Sequence, residues 1–548
     1  MKFCVFLWQR IRNLTLAKYL LFGGHCKSHG RAYNQVMADL LLTNANIYTL
    51  DPVRPRANIV AFGNGRVLGF DADALALYNP LHAQIIDIGG RTVIPGLIDH
   101  HIHFTAYAAS LARVNLDGAR SLEEAVARVA ERVQRAQPGE WIIGLGWNHL
   151  DWTTPVFPTK SPLDAIAPNN PVVLDRKDGH SIWVNSAALR ACNITRETPD
   201  PVGGVIDRDA NGEPTGILRD NAMDLFEGKR GFDAQTLSET DLLNAIRTAH
   251  QLGLVGIHNV EGADALQLFQ RVHAQNQLAL RVTHMIPANH LDHAIALGLR
   301  GGFGDEWLHI GGIKIFADGS LGSQTAWMLE PFEGQPDNCG ILTTPLEEIE
   351  KLARMAAHAG MMVCTHAIGD RANREVLNVY EKLRRENLTT PLRIEHAQHL
   401  HHDDVPRFAA LNVIASMQPI HCTSDYPMTD ALLGARGRYT YAFKSLLATG
   451  AHLVFGSDCP VETLDPWVGI HAAVTRERAN GEPRGGWYPE EKLSIEEAVR
   501  AYAPPLRVGG WGDCLVLSQN IFEIPARSLV ETHVEHTIIG GRVVYSRQ

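Results

Sequence analysis

Five apolar runs of this chain each carry a potential metal ligand at or near their C-terminal end. They hold His101 and His103 in VIPGLIDHHIH, Lys314 in GGIKIFADGS, His366 in MMVCTHAIGD, His396 in LRIEHAQ and Asp458 in AHLVFGSDCP. Side chains two apart on a strand point to one face, so His101 and His103 can reach the same ion. Imidazole and carboxylate suit zinc and its neighbours. A single His or Asp at a strand end is more often a hydrogen-bonded core or loop residue than a ligand, but packing alone seldom produces the whole set in order. The chemistry such a set performs is metal-assisted hydrolysis, in which bound ions acidify a water and polarise the group it attacks. Asp458 would carry the proton of that water to a leaving nitrogen; a carboxylate that only ligates is the other reading. Lys314 is the unusual member. An ammonium at the end of an apolar strand beside divalent cations suffers desolvation and repulsion together, which favours the neutral amine. That amine can add carbon dioxide and become an anionic bridging carbamate. The alternative is a lysine paired with Asp318 or reaching solvent.

The elements that would position these residues can be counted. Apolar runs at about 93–99, 254–260, 280–286, 309–316, 361–366, 391–396, 411–418 and 452–457 make eight strands. Segments such as LEEIEKLARMAAHAG and DRANREVLNVYEKLRRENL are long enough for helices between them. Strand and helix in alternation predict an α/β fold, and eight units predict a (β/α)8 TIM-like barrel over 93–500. The ligands then fall at the ends of strands 1, 4, 5, 6 and 8, on the face where such barrels build their sites. Residues of about 110–225 are too many for one connection and predict an inserted subdomain, a candidate lid. Alternating segments within 37–92 (ADLLLTNANIYTLD, IVAFGNGRVLGF, QIIDIGG) and within 501–548 (DCLVLSQNIFEI, HTIIGGRVVYS) predict a small β-sandwich built from both termini.

The motifs PGLIDHHIHF, GHSIWVNSAAL, GEPTGILRD, GIKIFADGSLGSQTAW, HAIGDRAN, RIEHAQ, ASMQPIH and GSDCPVE run from about residue 38 onward. They resemble the amidohydrolase superfamily, and within it the amidohydrolase family 3 branch of N-substituted formamide deformylase-like proteins. The resemblance implies two divalent metal ions, zinc foremost. One would be held by His101, His103 and Asp458 and the other by His366 and His396, with a carboxylated Lys314 between them. It also places His180 in an element beside the site, where it would bind substrate or cap a loop. Asp318 and Ser320, just after the Lys314 strand, are expected to support that ligand. Gln418 and His421 would line the pocket, and Arg219 with Asp220 reads best as a surface ion pair.

The reaction implied is hydrolysis of a non-peptide carbon–nitrogen bond, in an amide or an N-substituted formamide. Two alternatives stand beside it. A deaminase of the same superfamily would use one metal and a Glu on a His-x-x-Glu element, which HAIGD lacks. A catalytically silent relative would serve as a binding or scaffold protein; the intact ligand set argues against it.

Composition is ordinary for a soluble globular protein: 45% hydrophobic, 20% charged, net charge −10 and pI near 6.2. That balance carries no electrostatic footprint for nucleic acid. The apolar stretch around Leu16–Gly23 is too short to span a bilayer. The expected partner is therefore a small-molecule substrate, with no nucleic acid and no membrane; a homodimer is compatible. Eight scattered cysteines without a C-x-x-C pair point to a reducing, cytoplasmic compartment. Residues 1–36 contain Lys2, Arg10, Arg12, Lys18, Lys27 and Arg31 and no acid. Such a leader fits organellar import or a start codon assigned ahead of Met37, and the second is favoured. Finally, Pro504 and Pro505 should end the last barrel helix early and weaken its link to the sandwich.

Overall fold

The computed structural model describes residues 37–548 apart from Pro80, Ala112, 177–180, 202–203, 227–236, Ser323 and Gln548. The leader and His180 lie outside the described residues.

Eight parallel strands form one sheet: β1 (Leu97–Ile102), β2 (Leu254–Asn259), β3 (Arg281–Pro287), β4 (Leu308–Phe316), β5 (Met362–Ala367), β6 (Leu392–His396), β7 (Val413–Met417) and β8 (His452–Phe455). Neighbours pair in chain order from β1 to β8. The ring closes past the end of β8, where Asp458 N–H donates to the His101 carbonyl at 2.8 Å and His103 N–H to the Cys459 carbonyl at 2.9 Å. This is the expected TIM-like α/β barrel. Its helices follow from an apolar stripe: in Leu346–His358 the buried residues Ile349, Ala353, Ala356 and Ala357 share one face. Two glutamates open that helix and a histidine closes it, as its dipole favours.

The apolar run at 93–99 is corrected by the structure. It divides at Gly96, so that Thr92–Pro95 joins the terminal sheet and the first barrel strand starts at Leu97. A Cβ on Gly96 would lie 2.5 Å from Val255 Cγ1, so only glycine lets the chain pass so close to β2. One unbroken apolar stretch therefore serves two sheets.

Between β1 and β2 the chain builds a six-stranded mixed sheet from Val114–Asn115, Ile142–Trp147, Val172–Arg176, Ser181–Val184, Gly204–Arg208 and Pro214–Asp220. Arg219 pairs there with Asp207 on the adjacent strand at 2.5 Å, and the Asp220 side chain lies outside what the structure describes. The two ends of the chain meet in a pair of sheets. Leu40, Phe62, Val93, Leu506, Val516 and Ile538 pack into a single apolar cluster between them.

The last barrel helix, Ile495–Tyr502, does stop ahead of the two prolines, with Ala503 extended. The link is nonetheless anchored. Ser494 and Glu497 form a reciprocal capping box at the helix start. Leu506 donates its N–H to Thr49 at 2.8 Å and buries its side chain in the sandwich core. The expected weakness is thus offset by docking. Among the described residues no helix is long and apolar enough to cross a membrane.

Candidate metal and active site

The barrel brings the separated motifs to one end. A bulge in β1 starts the arrangement: Ile257 pairs with Asp99 and Asn259 with Ile102, so over this interval β1 carries one residue more than its neighbour. His100 then packs edge-on against His258, with ring centroids 4.6 Å apart, while His101 turns toward the strand ends. His103 lies just past the strand, one-third exposed, with its ring 6.0 Å from that of His101. Both rings present Nε2 to one carboxylate oxygen of Asp458, at 3.5 and 3.4 Å. His101, His396 and Asp458 form a buried group whose ligand atoms all lie within 4.8 Å of one another. His366 extends it, with its ring 4.6 Å from that of His396.

Two of these residues reach the centre through unusual backbone. His396 has φ of +70° and Asp458 of +58°, a left-handed region that non-glycine residues seldom occupy. The turn at His396 ends β6 and re-aims the side chain. Asp99 secures the other. Its buried carboxylate accepts N–H groups from His101 at 3.0 Å and Ser457 at 3.1 Å, tying β1 to the loop that carries Asp458. Burial pushes the Asp99 carboxyl up to about 7, a rise opposed by those hydrogen bonds and helped by the charge of Asp458.

The protonation states suit metal binding. Burial, reinforced by the Lys314 charge, lowers His101 to about 4 and His366 to about 3, so both rings are neutral near pH 7. For Asp458 burial pulls upward, but a hydrogen bond from His103 and, when they are protonated, the charges of the neighbouring His101, His396 and His421 hold the carboxyl well below the usual range. Lys314 is 3% exposed, which disposes of a side chain reaching solvent, and burial lowers its amine.

Each of three histidines also has one ring nitrogen engaged on the side away from the cluster. His101 Nδ1 meets Glu395 Oε2 at 2.6 Å, His396 Nδ1 meets Gln418 Oε1 at 2.8 Å, and His366 Nε2 meets the Gly319 carbonyl at 3.0 Å. These oxygens accept, so the engaged nitrogens donate and the other three keep lone pairs for an ion. The donor set therefore fits a divalent metal.

The remaining candidates separate. Gln418 orients His396, and its own Nε2 is buried without a hydrogen-bond partner. Asp318 sits 3.6 Å from His366 Nε2, but its oxygens accept the N–H groups of Ile368, Gly369 and Trp327 at 2.8–3.0 Å. It binds the end of β4 to the loop after β5. Ser320 is exposed in the following turn, where its N–H donates to Thr325 Oγ1. His421 Nε2 is buried 3.9 Å from Asp458 Oδ2.

A model of the amidohydrolase family matches residues 84–504. This chain belongs to the amidohydrolase family. It is 33% identical over 540 residues to the protein LONG AFTER FAR-RED 3 of Arabidopsis thaliana, covering 93% of this chain and 92% of that one. It is 28% identical over 546 residues to the N-substituted formamide deformylase of Arthrobacter pascens, covering 93% and 99%. Among solved structures it resembles an uncharacterized metal-dependent hydrolase from Pyrococcus horikoshii OT3, with a TM-score of 0.71, 27% identity and coverage of 89% and 99%. The family and the donor cluster together make it a metal-dependent amidohydrolase.

Sequence reading missed Asp99, Arg393 and Glu395 in this amidohydrolase site. The signal was present as charge inside apolar strands, in LIDHH and LRIEH, because buried charges persist only when paired. Gly456 was missed as well. A Cβ there would lie 2.4 Å from His101 N and 2.8 Å from Asp99 Oδ1. Gly456→Ala is expected to cost about 1–3 kcal/mol, measured by denaturant unfolding, and to weaken metal binding by pushing β1 off the Asp458 loop. An alanine variant with unchanged midpoint and metal content would show that the two segments separate freely.

Proposed function

We propose that this amidohydrolase hydrolyses a carbon–nitrogen bond of a small-molecule amide or N-substituted formamide, using two divalent ions with zinc foremost. The observation that carries the reading is the convergence of neutral, pre-oriented imidazoles on the ionised Asp458 at one end of the barrel. Similarity to the N-substituted formamide deformylase supports the substrate class. His101, His103, His366, His396 and Asp458 would hold the ions, with Lys314 carboxylated between them. When bound, the ions supply a water acidic enough to attack at neutral pH and polarise the carbonyl under attack.

The chain's own part is proton handling and orientation. Asp458 takes the proton of the attacking water and delivers it to the leaving nitrogen. Glu395, Gln418 and the Gly319 carbonyl hold three ligand rings in the tautomers required. Lys314 is buried, which favours the neutral amine that a carboxylation needs. The scattered cysteines support action in the cytoplasm.

The test is metal content by mass spectrometry together with a screen of N-substituted formamides, simple amides, hydantoins and aminopyrimidines. Two ions per chain and turnover of a formamide or amide are expected. The paired substitution His101→Ala with His103→Ala should remove one ion and the activity. Full metal and full rate in that variant would refute the assignment, and turnover of aminopyrimidines alone would favour deamination.

A further inference from the structure

The proposed ligands leave a buried charged pair on β6 unexplained. Arg393 and Glu395 are two residues apart on that strand, with side chains 1% and 0% exposed, and neither belongs to the ligand set. The guanidinium approaches the carboxylate twice, Nε to Oε1 at 2.5 Å and Nη2 to Oε2 at 2.9 Å. The two terminal nitrogens make further contacts: Nη1 meets His258 Nδ1 at 2.8 Å, and Nη2 also reaches the His100 carbonyl, while Nε faces Oε1 without a hydrogen bond. Arg393 is thus fixed by β1, β2 and its own strand. A guanidinium does not deprotonate, so it keeps its partner a carboxylate.

Glu395 Oε2 has a second donor, His101 Nδ1, at 2.6 Å. Arg393 already supplies the opposite charge and one hydrogen bond to the same oxygen, so the ion pair by itself does not call for an imidazole there. We infer that Glu395, clamped by Arg393, is the positioning residue that makes His101 a stronger nitrogen donor than His366 or His396. This rests on the proposed metal-binding role of His101. The arrangement differs from the other two rings, where a neutral amide (Gln418) and a backbone carbonyl (Gly319) take the corresponding hydrogen. A carboxylate acceptor draws more strongly on the Nδ1 proton, fixes the Nδ1–H tautomer, and leaves a more basic lone pair on Nε2. That lone pair faces Asp458 at 3.5 Å.

The chain of contacts also explains why the clamp is an arginine. Arg393 ties the carboxylate to His258 and to the backbone at His100, beside the β1 bulge that aims His101. Ring orientation and strand geometry are set by one guanidinium.

The experiment measures zinc affinity by competition with a chromophoric chelator, and the unfolding midpoint of the metal-free protein. Glu395→Gln keeps the size and an acceptor oxygen but leaves Arg393 buried without its anion, so it is paired with the double variant Glu395→Gln/Arg393→Met. Glu395→Asp, which keeps the charge and shortens the reach, is the third form. Each form that folds is scored alike. The inference expects zinc affinity about 10–100-fold lower in the glutamine forms, the usual effect of removing a ligand's supporting partner, with the metal-free midpoint of the double variant close to wild type. The cobalt-substituted protein should show a shifted visible spectrum in the same variants. Wild-type affinity and spectrum in a folded double variant would overturn this inference alone. A wild-type chain that binds no stoichiometric zinc would overturn the metal reading and this inference with it.

Discussion

Asp458→Asn is expected to keep most of its metal and to lose about two to four orders of magnitude in turnover, the usual worth of general acid–base catalysis. The prediction follows from the position of the carboxylate. Asp458 is buried, contacts the Nε2 atoms of His101 and His103 at 3.5 and 3.4 Å, and is held ionised by its surroundings. Its loop is fastened to β1 by the Asp99 hydrogen bonds, so an isosteric asparagine should sit in the same place. It retains an oxygen for the ion and loses the ability to accept and release a proton. Metal content and steady-state rates on one substrate decide the matter. A near-normal rate would assign proton transfer to another group, and His421, whose Nε2 lies 3.9 Å from Asp458, would be the first to examine.

Lys314→Ala should lose metal outright, an effect larger than the roughly 10–100-fold that an indirect supporting partner contributes. Lys314 is 3% exposed on β4, with Nζ 5.1 Å from the centre of the Phe316 ring. Burial lowers its amine, and the anionic Glu395 and Asp458 pull the other way. If the lysine acts as a carbamate bridge, short carboxylic acids added with metal should restore part of the rate by filling the vacated space. Lys314→Arg should resist that rescue, because a guanidinium stays protonated and occupies the site. Unchanged metal content in Lys314→Ala would show that the lysine bridges nothing.

Much of the barrel was legible because its signals are local. An apolar run of strand length reads the same wherever it packs, and seven of the eight runs coincide with strands to within a few residues. The candidate ligands were legible as residue types for the same reason, since each lies at or near the end of an apolar run. The exception at 93–99 failed because periodicity does not tell which sheet a run joins; a close approach to Val255 makes that division at Gly96. The proline pair at 504–505 was read correctly as a helix stop. Its consequence was not, since the anchoring of Leu506 depends on a sandwich strand from the other end of the chain.

By itself the sequence determined the barrel and the identity of the residues at its strand ends, both carried by patterns a few residues long. Tertiary structure alone decided how those residues are held. The left-handed turn at His396, the bulge beside His101 and the partners of each imidazole arise from packing between strands that are neighbours only in space. His101 and Glu395 are 294 positions apart in the chain and 2.6 Å apart in the fold. No local pattern encodes such a contact, because it exists only once the barrel closes.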